Sequence, residues 1–425
     1  MKAIERTHGI LVMILTVLIT NRGVWLCLTD LNDPLSFCSQ NNPGEALILY
    51  FLASCLAIWL IVQSQTGKIF VSKWRGNFLV LVFMCVAVLS MLWSVHRIST
   101  LYHILILLFS TILAASLGTY FSPDRWLVLL AGTGAVIVIA SLILWIFYPR
   151  AVIMGPPHEG AWRGIYWHKN LTGSLMALWN AVFLLYGLNI FRVSKWQAGA
   201  SATFYLLSLV LILLSQSAAG IVIGSGLNFM IIIVLLWSRV RHTLKKQHYV
   251  LLGSAAAVLI ILMITNLDFV FGLLNRQANL TGRIPLWNYL IENAVIQSPI
   301  LGHGLSAIWD VPEFRSQITN DLGWSFTITN AHNGFMDILI GLGILGLVLV
   351  VLLLGQVFYR TAAQFARAST VENLFPLIII VYLILSNLST SFFLEVESFH
   401  WVLLVATMFM STPTAEHQNL VDTSA

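Results

Sequence analysis

Arg163, Arg283, His332 and their neighbours are the residues of this chain whose types and placing invite chemistry. Each arginine adjoins a glycine (Arg163-Gly164 and Gly282-Arg283), and each precedes or opens a helical pattern. Arginine is an always-charged, bidentate ligand for phosphate and diphosphate, and glycine lets backbone approach a ligand closely. The plain alternative is an arginine that snorkels to lipid headgroups. His332, in Ala331-His332-Asn333-Gly334, has the side chain for a base near neutral pH or for a neutral hydrogen-bond donor; the plain alternative is a cap on the helix starting at Gly334. His303 sits between two glycines, and His168-Lys169-Asn170 precedes an apolar span for which Asn170 is a good N-cap. Arg163, His168, Asn170, Arg283, His303, His332 and Asn333 are therefore the candidate site. No metal is expected, since the chain has no HExxH, no paired aspartates and no P-loop.

The elements that must carry these residues are apolar. Hydrophobic residues make up 58% of 425 and charged residues 9%, against roughly 25% charged in soluble domains. Such a chain has bilayer as its solvent, where only helices or a closed barrel satisfy the backbone. Its apolar runs are of helix-spanning length, far longer than the roughly ten-residue alternating strands of a barrel. The formal charge of +5 is spread over short loops, so a nucleic-acid partner is not expected. The four cysteines, Cys27, Cys38, Cys55 and Cys85, lack CxxC spacing and read as buried apolar thiols, with a Cys27–Cys38 disulfide as the minor alternative. The N-terminal apolar run lacks a small-residue cleavage site and reads as a retained first helix.

The pattern predicts about twelve spans, near 9–28, 46–63, 78–93, 100–118, 126–147, 171–191, 199–215, 219–237, 249–265, 334–358, 374–391 and 397–411. With the N-terminus cytoplasmic, inside segments hold fourteen Lys and Arg and outside loops seven, Arg22 lying within the first span. This satisfies the positive-inside rule with both termini cytoplasmic. The expected organisation is therefore 1–265 with an outside segment near 148–170, a large extracytoplasmic loop over 266–333, three spans over 334–411, and a cytoplasmic tail over 412–425. The large loop is too long for a simple connection. Within it Ile284, Trp287, Ile291, Ala294 and Val295 suggest one apolar stripe of a short helix lying on the membrane or the bundle, with Pro285 in its first turn and Ser298-Pro299 ending it. Acidic residues outside are scattered and read as solvated. Glu395, Glu397, His400 and Arg22 near membrane depth read as functional or paired.

The order Arg163-Gly164-Ile165-Tyr166-Trp167-His168-Lys169-Asn170, Leu280-Thr281-Gly282-Arg283 with Trp287, Pro299-Ile300-Leu301-Gly302-His303-Gly304 and Ala331-His332-Asn333-Gly334 with Gly341, Gly343 and Gly346 resembles the O-antigen ligase and Wzy-type polymerase superfamily. Within it the likeness is to exopolysaccharide polymerases, and it covers about the C-terminal two thirds. One departure is the turn Ser215-Gln216-Ser217-Ala218-Ala219-Gly220, which lacks a basic residue that many members carry there.

The resemblance implies an all-α, GT-C-like enzyme of the bacterial inner membrane, an inverting glycosyltransferase without metal or other cofactor. It implies a polyprenyl-diphosphate-linked glycan donor, a glycan acceptor, and flippase and chain-length-regulating partners. Arg163 and Arg283 would hold the diphosphate; His332 would position or deprotonate the acceptor hydroxyl, or hydrogen-bond the diphosphate. A polymerase is favoured over a ligase to lipid A-core or protein on the exopolysaccharide-like motifs. A secondary transporter shares the span count but not the large ordered loop.

Overall fold

The computed structural model describes residues 43–63, 66–155, 158–240, 283–324, 326–393 and 399–413. The expectations for 9–28 and 249–265, and for Arg22, Cys27, Cys38, Gly282, Glu395 and Glu397, lie outside the described residues. Within them the chain is helical: α1 Pro43–Gln63, α2 Gly67–Gly76, α3 Phe78–Leu89, α4 Arg97–Tyr120, α5 Pro123–Phe147, α6 Lys169–Ile190, α7 Lys195–Leu214, α8 Ala218–Val240, α9 Arg283–Leu290, α10 Pro312–Asp321, α11 Gly334–Arg367, α12 Val371–Ser389 and α13 Phe399–Met410. Each of the ten anticipated spans that fall in described residues corresponds to a helix here. Seven of the described helices are long and apolar enough to cross a membrane, eight if α1 and α2 count as one bent span; α3 and α13 are shorter apolar helices. The chain is a multi-pass membrane protein.

Helix α6 is the hub. It packs against α5, α7, α8 and α12, and it buries fourteen residues, Trp179 and Asn180 among them. A helix this enclosed cannot be amphipathic, and its sequence is apolar or small all round. Two glycines set its crossing with α8: a Cβ on Gly220 would lie 2.6 Å from the Gly173 backbone. Gly118 does the same between α4 and α13, where a Cβ would meet the Ala406 carbonyl. Helices in lipid gain their association from such close packing rather than from hydrophobic transfer. Outward faces carry Ile, Leu, Val and Phe, and also Cys55 and Cys85, which are exposed. The expectation of buried thiols fails for these two because a small apolar thiol is as acceptable to lipid as to a core. His400 is paired, as its depth requires: Tyr382 Oη lies 2.8 Å from its Nε2.

Between α8 and α11 the described part of the connecting segment folds on its own small core. Leu286, Leu290, Ala294, Ile308, Trp309, Ile318, Ile328 and Ala331 close on one another and on Ile340 of α11. The buried stripe of α9 is thus Leu286–Leu290–Ala294, while Ile284 and Ile291 are exposed. Of the anticipated stripe, Ala294 is buried and Trp287 and Val295 pack on this core, while Leu286 and Leu290 take the inward places expected for Ile284 and Ile291; a π turn follows over Ile291–Val295.

Helix α11 is broken at Gly343, whose φ of 65° and ψ of −167° are open only to glycine. The break is filled by the segment Pro299–Gly304. Ile344 N–H donates to the Pro299 carbonyl (2.9 Å), His303 N–H to Ile340 (3.0 Å) and Gly304 N–H to Gly341 (2.9 Å). A Cβ at Gly343 would collide with the Ile300 carbonyl.

Candidate functional site

Arg163 lies on a pinned hairpin ahead of α6. Ile153 and Trp162 form an antiparallel bridge, Arg163 N–H donates to the Val152 carbonyl, and its Nε donates to the Ala151 carbonyl at 2.8 Å. Gly164 has φ +58° and packs on Ser141, so the turn itself demands glycine there. The Arg163 carbonyl accepts from Thr172 of α6, fixing the hairpin to the hub helix.

The cap of α6 is His168, not Asn170. Its Nδ1 accepts the Asn170 N–H at 3.1 Å, which places the ring proton on Nε2 and keeps the imidazole neutral. Asn170 instead accepts from Ser217 Oγ (3.3 Å), and Lys169, buried, donates from Nζ to the Gln216 carbonyl (3.3 Å). A lysine of α6 thus reaches the turn that lacks a basic residue of its own.

The second half of the site comes from the segment between α8 and α11. Arg283 opens α9. His332 has φ +52°, a left-handed conformation uncommon outside glycine, and the backbone around it is clamped by side chains. Trp287 Nε1 donates to the Ala331 carbonyl (2.8 Å), and Asp337 Oδ1 accepts from Ala331 N–H (3.0 Å) and Trp309 Nε1 (2.9 Å). His332 N–H donates to Asn330 Oδ1 and Asn333 N–H to Ser391 Oγ, both at 3.0 Å. The cap of α11 is Asn333, whose Oδ1 accepts from Phe335 and Met336 N–H. That overturns the reading of His332 as the cap and spends the Asn333 carbonyl on its own helix.

The two halves lie within electrostatic reach of each other. Burial, with smaller contributions from His158, His332, Lys169 and Arg163, lowers the His168 pKa from 6.5 to about 4. Burial, then the charge of Arg283, lowers His332 from 6.5 to about 4. Both rings are therefore neutral at pH 7 beside positive charge. His168 and His332 stand over a hundred residues apart in sequence, yet His332 contributes to the lowering at His168. His303 takes no part in these interactions: its Nε2 lies 2.9 Å from the Ala294 carbonyl, its N–H bonds Ile340, and its carbonyl accepts from Val95. Lys169 and His158, whose ring stands 5.4 Å from that of His168, join the cluster although sequence reasoning passed them over. A lysine on the extracytoplasmic side of the predicted topology was the available signal for the first; nothing singled out the second. Among the described residues, no group of three or more His, Cys, Asp or Glu side chains is placed to hold a metal ion.

A clustered set of guanidinium, ammonium and neutral imidazole groups is suited to an oligo-anion whose charge grows as a bond breaks. Comparison with known proteins bears on which one. Residues 203–351 match the family described as O-Antigen ligase, a stretch that holds Arg283, His303, His332 and Asn333 but not Arg163 or His168. Over 221 residues the chain is 26% identical to the exopolysaccharide production protein ExoQ of Rhizobium meliloti (strain 1021). That match takes in 48% of this chain and 48% of the relative, so it spans about half the length of each. The two findings agree with the motifs: over these stretches the chain is similar to the O-antigen ligase family and to an exopolysaccharide production protein.

Proposed function

We propose that the protein is a membrane glycosyltransferase that takes a glycan from a polyprenyl-diphosphate donor at the extracytoplasmic face and polymerises polysaccharide repeat units. The observation that supports this most is the electrostatic proximity of His168, beside Arg163 and Lys169, to His332, beside Arg283, from two distant segments. In this reading an acceptor hydroxyl attacks the anomeric carbon from the face opposite the diphosphate, and the bond to the diphosphate oxygen breaks. Arg163 and Arg283 receive the negative charge that develops on the leaving group. His332, neutral before the anion arrives, takes the hydroxyl proton as the new bond forms, and the incoming anion raises its basicity at that moment. The polyprenyl chain lies against the apolar spans, and flipping and chain-length control fall to separate proteins.

The exopolysaccharide-production relative favours polymerase over ligase. The test uses protein purified in detergent, a polyprenyl-diphosphate glycan and EDTA, comparing wild type with Arg283→Ala and His332→Ala. A product ladder from wild type that survives EDTA and is lost in both variants is expected. A single transfer step would turn the reading to a ligase. Full activity of Arg283→Ala, or a need for a divalent ion, would displace the proposed site.

A further inference from the structure

The outer loop carries a second constellation that the diphosphate chemistry does not use. Trp324 and Phe326 stack with ring centroids 5.4 Å apart and planes 10° from parallel. Trp324 packs its ring on the loop core, and its backbone N–H donates to the Thr319 carbonyl at 2.9 Å. Phe326 lies over it and is 56% exposed. Tyr289, which packs on the same loop core as Trp324, donates from Oη to Asp321 Oδ2 at 3.0 Å, at the end of α10 and three residues before Trp324.

An aromatic ledge of this kind has two common uses, a seat at the lipid headgroups and a platform for sugars. Helices that lie on membranes present Lys and Arg. Helix α10, Pro312–Asp321, instead carries Glu313 and Asp321 against the lone Arg315, and its other exposed residues are Pro312, Ser316, Gln317 and Asn320. The neighbourhood is therefore unfavourable for an anionic lipid surface. A pyranose suits it well. The C–H face of the ring carries partial positive charge and lies on the negative face of an aromatic ring, while its hydroxyls need a carboxylate and a phenol at the edge. The ledge is also tied to the site by the chain itself. Phe326 precedes His332 by six residues, so the two backbones are at most about 20 Å apart even fully extended.

We propose that Trp324, Phe326, Tyr289 and Asp321 form a glycan-binding subsite, which holds a pyranose of the saccharide chain a short distance from the bond being made. The proposal rests on the glycan-transfer reading above, and gives that site a hold on the sugar separate from its hold on the diphosphate.

The test uses the full-length protein in detergent and two probes, sodium pyrophosphate and a size series of oligosaccharides released by mild acid from the polysaccharide of the source cell. The double variant Trp324→Ala/Phe326→Ala should bind the oligosaccharides about tenfold more weakly, the scale of one aromatic stack. Trp324→Tyr should bind nearly as wild type does. Pyrophosphate affinity should be unchanged in both, which also certifies their folding. Equal oligosaccharide affinity in wild type and double variant overturns the proposal. So does a wild type that binds pyrophosphate but none of the oligosaccharides. Oligosaccharide binding without pyrophosphate binding leaves the subsite standing and defeats the donor-site reading instead. Quenching of the Trp324 emission by brominated lipid in vesicles, read as the difference between wild type and Trp324→Phe, would put the rings in the membrane and end the proposal.

Discussion

Replacing Arg283 with methionine removes one of the two influences that hold His332 neutral, and the size of the response can be bounded. The lowering from 6.5 to about 4 amounts to about 3 kcal/mol in favour of the neutral ring. Burial is the larger cause and the Arg283 charge the smaller, so Arg283 carries less than half of it. The pKa of His332 in Arg283→Met should therefore rise, but less than half way back to 6.5. Pyrophosphate added to the wild type should move it the same way and further, by about 1–3 pH units, because an anion beside the ring favours its protonated form. The assay is an NMR titration of histidine labelled at Cε1, with His332→Gln to assign the resonance. An unmoved or lowered pKa in Arg283→Met would refute the pairing of these two groups. Pyrophosphate that binds by calorimetry without raising the pKa would refute the placement of the anion at His332.

Stability should fall on acidification between pH 6.5 and 4. His168 and His332 are both depressed to about 4 when folded, so below 6.5 the unfolded chain takes up protons that the folded one refuses. The loss approaches about 3 kcal/mol for each ring and levels off below pH 4; thermal unfolding of His168→Asn/His332→Gln across that range should show a flatter profile. Lys169→Met keeps the buried volume but removes the charge beside His168 and the bond to Gln216; pyrophosphate affinity by calorimetry should drop about tenfold. Gly343→Ala should lose at least about 3 kcal/mol in thermal unfolding, since the conformation is closed to alanine and the Ile300 carbonyl occupies the space. Gly341→Ala, whose nearest contact would be 3.3 Å, should be milder.

The helices from α1 to α13 were largely legible because span length and apolar composition are local properties of a chain in lipid. The Arg163–His168 half and the Arg283–His332 half could be named from motif and topology, but their proximity could not be derived. It depends on how the outer loop seats on α11, which no spacing encodes. Two local readings failed for physical reasons, and one feature had no local signal. An imidazole Nδ1 serves as a helix cap as well as an amide does, so His168 displaced Asn170. On α9 the inward places fell to Leu286 and Leu290 rather than Ile284 and Ile291, because apolar residues lie on both faces of this short helix and spacing alone does not choose between them. The run Gly341-Leu342-Gly343 contains its helix break only because Pro299–Gly304 stands ready to supply hydrogen bonds, and that partner lies some forty residues upstream.

That break bears on how the protein is made. At Ile340 and Gly341, about nine to eleven Å along α11 from its start, the carbonyls accept their hydrogen bonds from His303 and Gly304 rather than from the next helical turn. When α11 first leaves the insertion machinery those partners are elsewhere, and each unmet polar group in hydrocarbon costs several kcal/mol. Membrane integration of this helix and closure of the loop that precedes it must then occur together. Substitutions around Gly302-His303-Gly304 should accordingly show themselves as protein that the cell's quality control removes, before any defect in turnover can be measured.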